Sequence, residues 1–80
     1  VHEVGLMREA LRVALERARR ERAERVLSVG LRIGARAAVV PEALALAFEV
    51  VTEGTIAAGA RLVVEPAAGD ECDLAWLEVS

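Results

Sequence analysis

Eighty residues with a formal net charge of −3 make one small domain, which buries only about 60–65 % of the surface its unfolded chain exposes and has no room for both a core and an enclosed substrate cavity. The acidic balance argues against a nucleic-acid partner, which calls for a basic surface to replace phosphate counterions. The single cysteine, Cys72, cannot form an internal disulfide, and no apolar run is long enough for a membrane span or a signal peptide, so the expected location is cytoplasmic, with no membrane partner.

The chain opens Val1-His2-Glu3. Here an α-amine, the amide nitrogen of His2 and the His2 imidazole are close enough along the covalent chain to chelate one metal ion. Reference pKa values of about 7.7–8.0 for the amine and about 6.5 for imidazole let both shed a proton near neutral pH. The amide of Glu3 would be a fourth nitrogen, and a tetragonal or square-planar nitrogen set suits Ni(II) or Cu(II) better than Zn(II). The competing reading is a surface histidine beside a chain end.

From about Leu6 to Glu24 the residues Met7, Leu11, Ala14, Leu15 and Ala18 recur at helical spacing, predicting a helix with one buried stripe. Glu16 with Arg20 and Glu21 with Arg25 are i,i+4 pairs in the favourable order, each worth about 0.2–0.5 kcal/mol on a solvated face. Val26 to Ile33 then alternates, with Leu27, Val29, Leu31 and Ile33 on one face and Ser28, Gly30 and Arg32 on the other, which predicts a strand with one buried side ended by Gly34. Pro41 opens a second helix as its first residue, where a missing N–H costs little. Its inward stripe is Leu44, Ala47, Phe48 and Val51, and Gly54 is placed to cap its end. Glu42, Glu49 and Glu53 align on the opposite side as an acidic row, read either as a solvated face or as a docking surface. Two strands follow, Arg61 to Glu65 and Leu74 to Val79, joined by turn residues around Pro66, Gly69 and Asp70.

The order helix, strand, helix, strand, strand predicts a two-layer α/β (α+β) domain with both helices on one face of a mixed three-stranded sheet. Its other face is left uncovered, and Val26, Val63 and Trp76 are expected there beside Gly30 as an apolar patch. A bare sheet face and unprotected edge strands leave a homodimer open, although Arg and Glu near those edges could equally hold the chain monomeric.

The opening Val1-His2-Glu3-Val4-Gly5-Leu6-Met7, the strand Leu31-Arg32-Ile33-Gly34, the run Val40-Pro41-Glu42-Ala43-Leu44 with Phe48-Glu49, and the stretches Gly54-Thr55-Ile56-Ala57 and Gly59-Ala60-Arg61-Leu62 together resemble the HypA/HybF family of hydrogenase nickel-incorporation proteins, in order across roughly residues 1 to 65. The resemblance implies a metallochaperone that delivers Ni(II) during maturation of nickel-iron hydrogenase, and in some organisms of urease. It implies a maturation GTPase and the hydrogenase large subunit as partners, and nickel binding through the Val1 amine, His2 and the amide of Glu3. Two departures stand out. The family begins with Met where this sequence has Val1, and it inserts a zinc-binding domain with paired Cys-x-x-Cys motifs between the last two strands, where this sequence has only the Pro66 to Asp73 connection. One Cys and one distant His do not close a four-ligand zinc site, so residues 1–80 are expected to form a single nickel-binding domain without structural zinc.

Two function classes follow. The first is a minimal nickel-binding metallochaperone domain. The second is a metal-free protein-interaction module that kept this fold after loss of the zinc domain and works through Trp76 or the acidic row. Catalysis is not expected, since there is no phosphate-cradling glycine loop, no nucleophile–His–acid set and no second histidine.

Overall fold

The computed structural model describes residues 2–80. Its elements are α1 (His2–Arg20), β1 (Val26–Gly34), α2 (Pro41–Thr52), β2 (Arg61–Ala67) and β3 (Cys72–Val79). They form the expected α+β arrangement. Met7, Leu11, Ala14 and Ala18 of α1 share one buried cluster with Val26, Val29, Leu31 and Ile33 of β1 and with Leu44, Ala47 and Phe48 of α2. Both helices therefore cover the same face of the sheet.

The first helix starts at His2, earlier than the expected Leu6, because Val4 also packs against the core and extends the buried stripe by a turn. It stops at Arg20, short of the expected Glu24. There the Ala23 N–H donates to the Ala18 carbonyl and the Arg22 N–H to the Arg19 carbonyl, both at 3.0 Å. Arg22 has a left-handed φ of 56°. This is a Schellman end with arginine in the position that glycine usually takes, which is why sequence gave no stop signal there. The Glu16–Arg20 pair forms at 3.6 Å. The expected Glu21–Arg25 pair does not, since both residues lie past the helix end, and the Arg25 guanidinium instead donates to the Ala58 carbonyl at 2.6 Å.

Strand β1 buries Val29, Leu31 and Ile33 as expected, but Leu27 is 44 % exposed while Val26 is only 1 % exposed. The reason is a bulge. Pairing with β3 steps from Val26↔Val79 to Ser28↔Glu78, so Leu27 is an extra residue on β1, and one extra residue inverts the inside–outside alternation before it. Val26 is thereby moved from the expected outer patch into the core. A second irregularity between Gly30↔Trp76 and Leu31↔Leu74 makes Ala75 the extra residue on β3.

The strand order is β2-β1-β3, with β1 parallel to β2 and antiparallel to β3. Helix α2 is the crossover that parallel pairing needs. The last two strands are longer than expected, so their link shrinks to residues 68–71 and passes over the end of the central strand. Two backbone bonds fasten it there, Gly34 N–H to Glu71 O and Arg36 N–H to Gly69 O, both at 2.7 Å, beside the bond from Ala35 N–H to Ala67 O at 2.9 Å at the end of β2. A side chain at Gly34 would run into the Gly69 carbonyl, so this crossing depends on glycine. Pro66 is accommodated because β2 is an edge strand.

The uncovered sheet face is not the apolar patch that was expected. The Trp76 indole lies on Gly30, filling the space a side chain there would occupy, and its Nε1–H donates to the Glu65 carboxylate across the central strand. Ser28 donates to Glu78 at 2.9 Å, and Arg32 to Asp73 at 3.0 Å. Val63, paired in register with Gly30, is half-buried beside this polar lattice.

Candidate metal centre

Of the predicted metal-binding residues, Val1 lies outside the described residues. His2 is the first residue of α1 and exposed; Glu3 is half-buried. The first four N–H groups of an α-helix have no partner within the helix. The His2 and Glu3 amides are in that set, so losing their protons to a metal would break no helical hydrogen bond.

The Glu3 side chain has a different task. Its carboxylate accepts the N–H of Val40 at 3.2 Å, bridging 37 positions of sequence. Val40 is the N-cap residue of α2 and has no side-chain cap of its own, and Pro41 follows it as the first helical residue. In a capping box the third helical residue supplies the carboxylate that takes the N-cap N–H. Here that position is Ala43, and Glu3 from the other helix fills the role. The Val40 N–H, and after it the residue's own N–H, holds the Glu3 carboxyl below its ordinary range, with smaller help from His2. The Glu3 carboxylate is therefore committed to Val40 and to the residue's own N–H.

Among the described residues, no group of three or more His, Cys, Asp or Glu side chains is arranged to hold a metal ion. Glu42, Glu49 and Glu53 are all exposed and do not converge. The donors present therefore do not fit a side-chain zinc site. Cys72 is half-buried in a groove with Leu6, Val13, Arg17 and Leu74. Burial, and then the neighbouring Asp73, pushes its thiol pKa up from the ordinary value of 9.0, which disfavours the thiolate that a metal would need. Trp76 is committed to Gly30 and Glu65 within the sheet.

Sequence reading missed an apolar groove of about 440 Å³ at the carboxyl ends of β1 and β2, lined by Ile33, Val39, Pro41, Leu44, Val64 and Pro66. It adjoins Val40, whose N–H meets Glu3. The only sequence signal for it was the pairing of Gly34 with a later Pro41, which brackets the loop between strand and helix. No helix among the described residues is long and apolar enough to cross a membrane.

A family model described as "Hydrogenase/urease nickel incorporation, metallochaperone, hypA" matches residues 1–75. A protein named hydrogenase maturation factor HypA from Picosynechococcus sp. is 45 % identical over 65 residues, covering 81 % of this chain and 58 % of that protein. The protein of the same name from Dechloromonas aromatica is 45 % identical over 71 residues, covering 86 % and 63 %. That from Methanopyrus kandleri is 40 % identical over 80 residues, covering 95 % and 56 %. The chain spans about three-fifths of the length of these relatives.

Proposed function

The chain belongs to the HypA family of hydrogenase and urease nickel-incorporation metallochaperones, and on that premise we propose that it carries Ni(II) at its N-terminus for delivery to a maturing nickel-iron hydrogenase. The metal is cargo, held by the Val1 amine where that amine is free, by the amide and imidazole of His2 and by the amide of Glu3. The observation that supports the reading best is that the matched segment takes in His2 and Glu3, which stand at the open first turn of α1.

Charge explains why main-chain nitrogens suit this position. The N-terminus of a helix carries a partial positive charge of roughly half a unit, which repels a dication. Two deprotonated amides would cancel the formal +2 of the metal, so the assembled unit adds no net charge at the helix start. Binding then releases protons, and affinity falls as the pH drops. The exposure of His2 also favours exchange, since a recipient can reach a metal held there without unfolding a core. The partners in this reading are a maturation GTPase and the hydrogenase large subunit, with urease as a second recipient class.

Isothermal titration with Ni(II) near neutral pH tests the site. Three proteins are compared: the chain with a verified free Val1 amine, its His2→Ala variant and a form extended by one residue before Val1. Stoichiometric uptake by the first, lost in the other two, is the expected result. Equal and weak uptake by all three would overturn it and favour the metal-free interaction reading.

A further inference from the structure

We propose that the outer edge of β2 pairs antiparallel with β2 of a second copy of this chain, joining two three-stranded sheets into one of six strands. β2 is an edge strand, hydrogen-bonded to β1 on one side. Which of its groups face away from β1 follows from a single bond, the Ala35 N–H donating to the Ala67 carbonyl at 2.9 Å. Ala67 therefore points its polar groups towards β1. The register runs from Ser28↔Arg61 to Gly34↔Ala67 without a shift, and backbone groups alternate in direction along a regular strand. Arg61, Val63 and Glu65 thus face β1 as well, while Leu62, Val64 and Pro66 face outward. Pro66 has no N–H, so the free edge presents a complete donor and acceptor only at Leu62 and Val64.

A twofold axis through Val63 uses both. It sets Leu62 opposite Val64 of the second copy, and Val64 opposite its Leu62. Each such pair exchanges two backbone hydrogen bonds. Val64, a large apolar residue 47 % exposed in the single chain, is then covered on the helix side by Leu62 of the second copy.

The same register places Arg61 directly opposite Glu65 at both ends, as non-hydrogen-bonded pairs, whose side chains lie closer together. Arg61 forms no ion pair among the described residues. Glu65 is already held by the Trp76 indole, which lowers the entropy lost when it takes a new partner.

Neighbouring registers fail. An axis through Leu62 sets Val64 opposite Ala60, whose N–H is taken by the Ala57 carbonyl at 3.0 Å, and Arg61 opposite Val63. An axis through Val64 sets Leu62 opposite Pro66, which has no donor to give, and Arg61 opposite Ala67. The same two features end the chosen ladder after its two pairs, so the contact closes as a dimer and does not extend into a filament. This inference is independent of nickel binding.

Sedimentation equilibrium across a wide concentration range tests it. The wild-type chain is expected to shift with concentration from 8.5 kDa towards twice that mass. Arg61→Glu alone and Glu65→Arg alone place like charges opposite each other and should each stay monomeric. Mixed together, they restore two opposite-charge pairs and should return to the dimer mass. Val64→Pro deletes one outward donor without touching the bonds to β1, and is expected to remain monomeric with an unchanged circular dichroism spectrum. A wild-type chain that stays monomeric at every concentration would overturn the inference, as would dimers indifferent to the charge reversals.

Discussion

Substituting alanine at Gly30 tests whether the clip on the outer sheet face holds this fold as described. The added Cβ would overlap three indole atoms of Trp76, namely Cε2, Nε1 and Cδ2. Those atoms belong to a rigid ring stacked on the strand, so the ring must swing away, and with it goes the bond from Nε1–H to the Glu65 carboxylate. Forcing an extra carbon into a packed contact costs about 1–3 kcal/mol. Losing a hydrogen bond to a charged group costs about 1.5–3 kcal/mol when buried and less at this half-buried position. Alanine recovers about 0.5–1 kcal/mol over glycine within a strand. The net loss is about 2–3 kcal/mol. With a urea m-value of about 1 kcal/mol/M for a domain this small, the unfolding midpoint should fall by about 2–3 M.

Trp76 is the sole tryptophan, so its fluorescence reports directly on the displaced ring, and the emission of Gly30→Ala should shift to the red in the folded state. A double-mutant cycle isolates the cause. In a Trp76→Ala background there is no ring to strike, and Gly30→Ala should be neutral or stabilise by about 0.5–1 kcal/mol. A Gly30→Ala penalty of equal size in both backgrounds would refute the reasoning, as would an unchanged emission maximum.

Arg22 holds a left-handed φ of 56° at the end of α1, a conformation that costs a side-chain-bearing residue about 1–2 kcal/mol. Part of that is regained on substitution, since glycine also has more freedom to lose on folding, so Arg22→Gly should stabilise the chain by about 0.5–1 kcal/mol, measured by urea unfolding. The Cys72 thiol, raised by burial and by Asp73, should react with a disulfide reagent only at higher pH than a free cysteine, and unfolding in urea should abolish the difference. Because its folded pKa is raised, the stability it contributes is full below the ordinary value of 9.0 and is lost as pH rises through the folded value. A Cys72→Ser variant should therefore flatten the alkaline limb of the stability profile, and an unaltered limb would show that Cys72 does not shape it.

Periodicity made most of the core legible. Met7, Leu11, Ala14 and Ala18 recur on one side of a helix, and Leu44, Ala47 and Phe48 on one side of another, because an element with a single buried face must repeat at its own period. The same reasoning failed at Leu27 and Val26. A bulge adds one residue to one strand only, and nothing in the local pattern marks it. The end of α1 was illegible for a similar reason, since its left-handed residue is arginine. At the candidate site, the proposed ligands His2 and the Glu3 amide rest on covalent connectivity, since adjacent groups along the chain can chelate one ion without any tertiary contact. The tie from the Glu3 carboxylate to Val40 was not legible, because its partners are 37 positions apart.

By itself, then, the sequence determined the kinds and order of the elements, the helix stripes that meet the sheet, and the family to which the chain belongs. Each of these is written in local spacing or in residues that match position by position. Only the tertiary structure decided that β3 pairs with β1 across the end of the central strand, that Trp76 is bound to Gly30 and Glu65, and that Leu62 and Val64 face outward from the sheet. Those outcomes rest on contacts between distant segments and on strand register, where a shift of one residue reverses every side chain and every backbone group beyond it.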